Sequence, residues 1–178
     1  APPAEEAPPV AELVRSLVNG STLDGWHVEQ DTGSHGDAGI AAGPSDPELS
    51  FQFSLADGPP ATQMAALVNV TAEGLQDADR IAFTVRAERP MRVSVQLRSK
   101  RADRWQRSIY VDATPVEKIV RFDDMTAIGS TPTPAPPLAD IQSIMFVVDL
   151  TNNRPGSSGK LWLSGLRLER YVRTVSSR

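Results

Sequence analysis

The sequence predicts an all-β fold, an antiparallel β-sandwich of about nine or ten short strands. Three observations predict it. Runs of alternating apolar and polar residues recur along the chain, as strands with one buried face require. Turn residues separate these runs, and the 178 residues include 15 prolines and 12 glycines. No alternation of strands with long helical patterns appears, which argues against βαβ units, and no fixed-period repeat is present.

The elements follow in order. APPAEEAPP, residues 1–9, has almost nothing to bury and reads as a flexible Pro/Ala linker, which suggests another domain or an anchor before it. Residues 10–170 read as the sandwich domain and 171–178 as a C-terminal tail. VAELVRSLV (10–18) fits a short helix or a strand equally. In GSTLDGWHVEQDTGSHGDAG only WHVEQ is strand-like. ELSFQFSL (48–55) places Leu49, Phe51, Phe53 and Leu55 on one face, and MAALVNVTA (64–72) is mostly apolar. RIAFTVRAE (80–88) sets Ile81, Phe83 and Val85 against Ala82, Thr84 and Arg86. From Met91 to Arg98, Val93, Val95 and Leu97 alternate with Arg92, Ser94, Gln96 and Arg98. After SKRAD, Ile109 and Val111 oppose Arg104, Gln106, Ser108 and Tyr110.

EKIVRFDDM (117–125) and KLWLSGLRLER (160–170) alternate as well. SIMFVVDL (143–150) is nearly continuous and apolar, as a central strand is. STPTPAPP (130–137) reads as a surface proline loop and PLADIQ (137–142) as a single helical turn. The expected core is Phe83, Val85, Val93, Val95, Leu97, Ile109, Val111, Ile144, Phe146 and Val148.

Composition excludes several classes. A net charge of −4 argues against general nucleic-acid binding. No apolar run approaches the ~20 residues that span a bilayer, and no charged n-region precedes an apolar h-region. Without cysteine there is neither a disulfide nor thiol chemistry.

Catalytic constellations fail one by one. The two histidines, His27 and His35, have no G-x-S-x-G elbow to serve. GSHGD (33–37) groups Ser, His and Asp, but neighbours in a glycine-rich loop lack the rigid geometry a triad needs. GSSGK (156–160) lacks the spacing of a phosphate loop and reads as a hairpin turn. Asp123 and Asp124 are adjacent, so on a strand they point to opposite faces and cannot flank one glycosidic bond. Asp24, Asp31 and Asp37 are loop residues whose oxygens suit calcium if they converge; as turn residues they equally cap backbone amides. NGS (19–21) and NVT (69–71) match the glycosylation sequon, which carries meaning only in a secreted eukaryotic protein.

LDGW, DRIAFTVRAE, VSVQLR, VEKIVRFDDM, LADIQSIMFVV and GKLWLSGLRLE occur in an order that resembles the jelly-roll, galactose-binding-like sandwiches of carbohydrate-binding modules and of CIA30-like domains. The resemblance spans about residues 17 to 170. It implies a non-catalytic module of a larger extracytoplasmic protein, secreted, periplasmic or at the cell surface. Such a module takes a polysaccharide or oligosaccharide on one sheet face or at one rim. In such modules an acidic residue of the last strand often helps to hold a structural calcium; the matching stretch here carries Ser164 and Gly165.

The polar face of residues 80–111 is the chemical lead. If its three strands are neighbours, Arg86, Gln96, Arg98, Ser108 and Tyr110 share one surface with Thr84, Ser94 and Gln106. Planar donors and acceptors match sugar hydroxyls, and an aromatic ring lies against the apolar face of a sugar. Trp26 and Arg154, in loop-rich stretches, are the further candidates at the rim, while Trp105 and Trp162 flank apolar residues and read as core. The same pattern suits a solvated sheet. A structural or protein-interaction sandwich, packed on a neighbouring domain, therefore stays open beside the glycan-binding reading.

Overall fold

The computed structural model describes residues 8–42, 47–60 and 63–172. Its twelve strands are β1 (Val10–Ser16), β2 (Trp26–Gln30), β3 (His35–Ala41), β4 (Glu48–Ser54), β5 (Met64–Val70), β6 (Arg80–Ala87), β7 (Met91–Ser99), β8 (Arg104–Val111), β9 (Val116–Arg121), β10 (Thr126–Ile128), β11 (Ile141–Asp149) and β12 (Ser158–Val172). Sheet A runs β3-β4-β12-β6-β9, with β1 also paired to β12; sheet B runs β10-β8-β7-β11-β5-β2. All ladders are antiparallel.

The sandwich and its core match the sequence reading. All ten expected core residues lie in one buried cluster between the sheets. Phe83 of sheet A meets Phe146 of sheet B edge to face, with centroids 5.2 Å apart and planes at 89°. The expected helical turn is the short 3-10 turn Leu138–Asp140.

The differences have local causes. Residues 10–16 settle as a strand because β12 offers them an edge. This same pairing carries β12 to Val172, into the stretch expected as tail. β3 and the three-residue β10 lack an alternating apolar pattern and raise the count to twelve. Residues 1–7 of the expected linker and 173–178 of the expected tail lie outside the described residues.

Two glycines decide geometry. β12 shifts register against β6 between Ser164 and Arg167, and Gly165 there holds φ +59°. This bulge divides β12, which pairs β4 up to Ser164 and β1 from Arg167 onward. At Gly36 in β3, a Cβ would stand 2.7 Å from Val28 Cγ1 and 2.9 Å from Phe51 Cε2. The missing side chain lets β2 and β3 approach across the two sheets.

Two stability outcomes follow. Phe146→Ala opens the centre of the core, where the ring is fully buried, and should cost about 3–5 kcal/mol in chemical denaturation. Gly36→Ala should cost about 1–3 kcal/mol through overpacking against β2; an unchanged midpoint would show that β3 shifts freely.

Candidate functional site

The outer face of sheet B carries the densest polar arrangement. Alternation presents Arg104, Gln106, Ser108 and Tyr110 from β8, and Arg92, Ser94, Gln96 and Arg98 from β7. The antiparallel register sets Arg98 opposite Arg104, Gln96 opposite Gln106, Ser94 opposite Ser108 and Arg92 opposite Tyr110. β11 and β5 add Met145, Val147, Ala66 and Val68, a separate buried apolar cluster with Met64 packed against it. β2 closes the far side with His27 and Glu29.

Directly opposed cations repel. Arg98 and Arg104 escape this by turning apart. Arg104 Nη1 donates to Gln96 Oε1 at 3.3 Å. Arg98 turns the other way and grips Glu29 with both terminal nitrogens, at 3.0 and 2.7 Å. β11 and β5 lie between those two residues in the sheet. The ion pair therefore spans the face above Met145 and Val68. Arg98 Nη2 also donates to Ser143 Oγ at 3.4 Å, and His27 Nε2 sits 3.3 Å from Glu29 Oε2. The Arg98 guanidinium holds the Glu29 carboxyl below the usual carboxylate range, against the opposing effect of burial and with a further contribution from His27.

A second network orders the β7–β8 half. Gln96 Nε2 donates to Ser94 Oγ at 3.1 Å, and Ser94 Oγ donates to Gln106 Oε1 at 2.9 Å. Arg92 Nη1 donates to Ser108 Oγ at 3.4 Å. Ser94 and Gln96 are buried, 1% and 2% exposed, whereas Tyr110 stands 48% exposed at the end of the row.

Gln96, Arg98, Ser108 and Tyr110 thus meet on one face, as the sequence reading expects. Arg86 does not join them. β6 belongs to sheet A, so the short connection 88–90 crosses between sheets instead of closing a hairpin. Arg86 lies on the opposite side of the molecule, paired with Glu48 at 2.9 and 3.3 Å and stacked over Trp162 at 3.9 Å. Trp162 is accordingly on an outer face rather than in the core, while Trp105 is fully buried. Trp26 is also core, 8% exposed, with its indole N–H donating to Leu17 O at 2.8 Å. Arg154 stands exposed in the β11–β12 loop at the rim near Arg92, whose carbonyl accepts from Asn153 Nδ2 at 3.3 Å.

Asp24, Asp31 and Asp37 do not converge. Asp24 and Asp31 flank β2 at opposite rims, and Asp37 lies in β3 of the other sheet. Among the described residues no three His, Cys, Asp or Glu side chains form a group suited to a metal ion. Asn69 of the NVT sequon is 5% exposed and faces inward beside Trp26. The expected site omitted Arg92 and the His27–Glu29 pair. Alternation through WHVEQ and through residues 91–111 was the signal for them.

No family model and no curated protein matches the sequence. Solved structures do match. A family 11 carbohydrate-binding module of the cellulosomal cellulase Lic26A-Cel5E of Clostridium thermocellum superposes with a TM-score of 0.70 at 15% identity, over 96% of this chain and 100% of that one. The chain shares the two-sheet β-sandwich fold of that module. A family 11 module from the same organism, in complex with a β-1,3-1,4-mixed-linked tetrasaccharide, matches with a TM-score of 0.66 at 15% identity, over 89% of this chain and 94% of that one. An exo-β-agarase matches with a TM-score of 0.59 at 8% identity; 89% of this chain covers 25% of that enzyme.

The Glu29–Arg98 bridge makes a pH prediction. Folding lowers the Glu29 pKa. Its stabilisation is therefore full above the unfolded value of about 4.3 and is lost as pH falls through the lower folded value. Glu29→Gln should be less stable than the parent at pH 7, and the gap in melting temperature should shrink below about pH 4. A constant gap would show that the charge of Glu29 contributes nothing.

Proposed function

We propose that the chain is a non-catalytic carbohydrate-binding module of a larger extracytoplasmic protein, and that it holds a polysaccharide or oligosaccharide on the outer face of sheet B. One observation carries the reading. This face combines an exposed aromatic ring with a hydrogen-bonded row of Arg92, Ser94, Gln96, Gln106 and Ser108. Groups already fixed by neighbours lose little entropy when a ligand arrives. The fold supports the same reading, since one structure that shares it binds a mixed-linked tetrasaccharide.

The roles follow from what each side chain has left to offer. The Tyr110 ring stacks on the apolar face of a sugar. Ser108 accepts from Arg92, so its hydroxyl proton is free to donate to a sugar oxygen. Gln106 accepts from Ser94 through its carbonyl and turns its amide donors to the ligand. Gln96 is engaged at both ends of its amide and positions its neighbours. Arg98 and Glu29 form the floor's crossing point, where the carboxylate offers acceptors and the guanidinium donors to hydroxyls above them.

A second reading has its own observation. Val70 and Tyr110, 50% and 48% exposed, stand at distant corners of this face and suit contact with a neighbouring domain.

Affinity electrophoresis and calorimetry against mixed-linked β-glucan, other β-glucans and agarose separate the two. The glycan reading expects a Kd in the micromolar to millimolar range, because ordering consumes much of the gross contact energy. Tyr110→Ala should weaken binding about tenfold, roughly 1.4 kcal/mol, with an unchanged melting temperature. Parental affinity in both Tyr110→Ala and Gln106→Ala would remove this face from the reading.

A further inference from the structure

At the rim where β6 passes to β7 and β11 to β12, a cavity of about 290 Å³ opens beside the Arg92–Tyr110 end of the face. Arg89, Arg154, Asn152, Asn153, Phe53 and Met91 are among its walls. Every charged group in those walls is a guanidinium. The Arg89 guanidinium lies against Gly159, where an added Cβ would stand 3.8 Å from its Nη2 and 2.9 Å from Phe53 Cζ. Gly159 thus leaves the space into which ring and guanidinium pack.

These arginines differ from those that the fold ties to acids. Arg15, Arg80, Arg86, Arg98, Arg121, Arg167 and Arg170 each pair with a carboxylate. Among the described residues Arg89, Arg92 and Arg154 make no such pair, and neither do Arg101, Arg104 and Arg107; but Arg104 is engaged by Gln96 and Arg101 shares its cavity with Asp103 and Asp140, whereas the acids close in sequence to Arg89 and Arg154 stay out of theirs. Asp57, Glu88, Asp112 and Asp149 belong to the same rim, yet none of them lines the cavity. Asp112 accepts the Thr114 amide and Asp149 the Thr151 amide, each at 2.9 Å. Asp57 lies behind the loop, against Gly156. The loop itself is held in place, since Asn153 Nδ2 donates to Arg92 O and Ser157 Oγ to Arg154 O at 2.7 Å.

We propose that this cavity receives an anionic substituent, a carboxylate or a sulfate, carried by a glycan that lies on the outer face of sheet B. The preferred ligand is then an acidic polysaccharide, a uronan or a sulfated galactan. The inference rests on the reading of that face as the glycan site and adds the class of glycan. Guanidinium groups bind both oxyanions through paired N–H donors, and the asparagine amides supply further neutral donors. Met91, only partly buried, gives the cavity an apolar wall for the ring carbons of the sugar that bears the charge.

The test compares neutral and charged glycans of matched backbone by affinity electrophoresis and calorimetry: agarose against chemically sulfated agarose for sulfate, and cello-oligosaccharides against β-1,4-linked polyglucuronate for carboxylate. The parent protein should bind one charged member at least tenfold more tightly than its neutral counterpart, and 0.5 M NaCl should erase most of that preference. The source of the anion is read from which pair shows it. Arg154→Gln and Arg89→Gln should each cut charged-glycan affinity about fivefold or more, leave neutral-glycan affinity unchanged and keep the parental melting temperature. Equal or better binding of neutral glycans, or charged-glycan binding untouched by both variants, overturns the proposal. If Tyr110→Ala abolishes all glycan binding while the arginine variants change nothing, the face stands and the anion site falls. If the arginine variants weaken binding while Tyr110→Ala does not, the anion site stands without that face. Absence of binding to every glycan overturns both.

Discussion

The burial of β5 and β11 on both sides constrains the outer face of sheet B. Inside, Leu67, Ile144, Phe146 and Val148 pack into the sandwich core. Outside, Ala66, Val68, Met145 and Val147 form a second cluster, each no more than 2% exposed. Apolar strips on a sheet surface do not stay open to water without cost. Here the Arg98–Glu29 pair reaches across from the flanking strands and lies over the strip. The long aliphatic stem of an arginine serves that purpose while its head finds a carboxylate. The face is consequently apolar beneath, charged in the middle and polar along β7 and β8. A wholly solvated wall would need none of this layering.

Charge pairing divides the surface by use. On the outer side of sheet A, Arg86 has Glu48, Arg167 has Glu117 and Glu169, and Arg80 has Asp79 with its guanidinium 3.1 Å from the Tyr171 ring centroid. Burial pushes the Asp79 carboxyl upward, but the Arg80 hydrogen bond and the Tyr171 amide hold it below its usual range. Those arginines are satisfied within the protein, so their removal affects stability first. Arg89, Arg92 and Arg154 keep hydrogen-bonding capacity for something outside the chain.

Alternation, with the apolar runs of β5 and β11, made most strands and the core legible, because a period of two fixes which residues go inward once an element is a strand. The prediction at Tyr110 rests on that periodicity, and the one at Phe146 on the continuous apolar run of β11. What alternation cannot carry is the assignment of strands to sheets. Residues 88–90 join β6 to β7 in a connection short enough for a hairpin, yet β6 pairs with β9 and β12 while β7 pairs with β8 and β11. That single crossing moved Arg86 away from Gln96 and Arg98. The tryptophans mark the same limit. Trp105 and Trp162 both have apolar neighbours, but Trp105 stands opposite Leu97 on an inner face and Trp162 opposite Arg86 on an outer one. Trp26 has polar neighbours in sequence and is core, because β2 turns that side of the strand towards Phe146.

The bulge at Gly165 connects these levels. By shifting β12 between Ser164 and Arg167 it lets one strand pair with β4 over its first half and β1 over its second, while β6 keeps the other edge. The first half of β12 then leads back to the β11–β12 loop, whose backbone is tied to β4 by Leu55 N–H donating to Ser157 O at 2.8 Å. Arg154 is therefore placed by two sheets at once: β4 and β12 of sheet A fix its loop from one side, and Asn153 ties it to β7 of sheet B from the other. That anchoring fixes the loop backbone at the rim beside the Arg92–Tyr110 end of sheet B. On the proposed reading, a glycan that reaches from Tyr110 to the rim meets a loop held by both sheets.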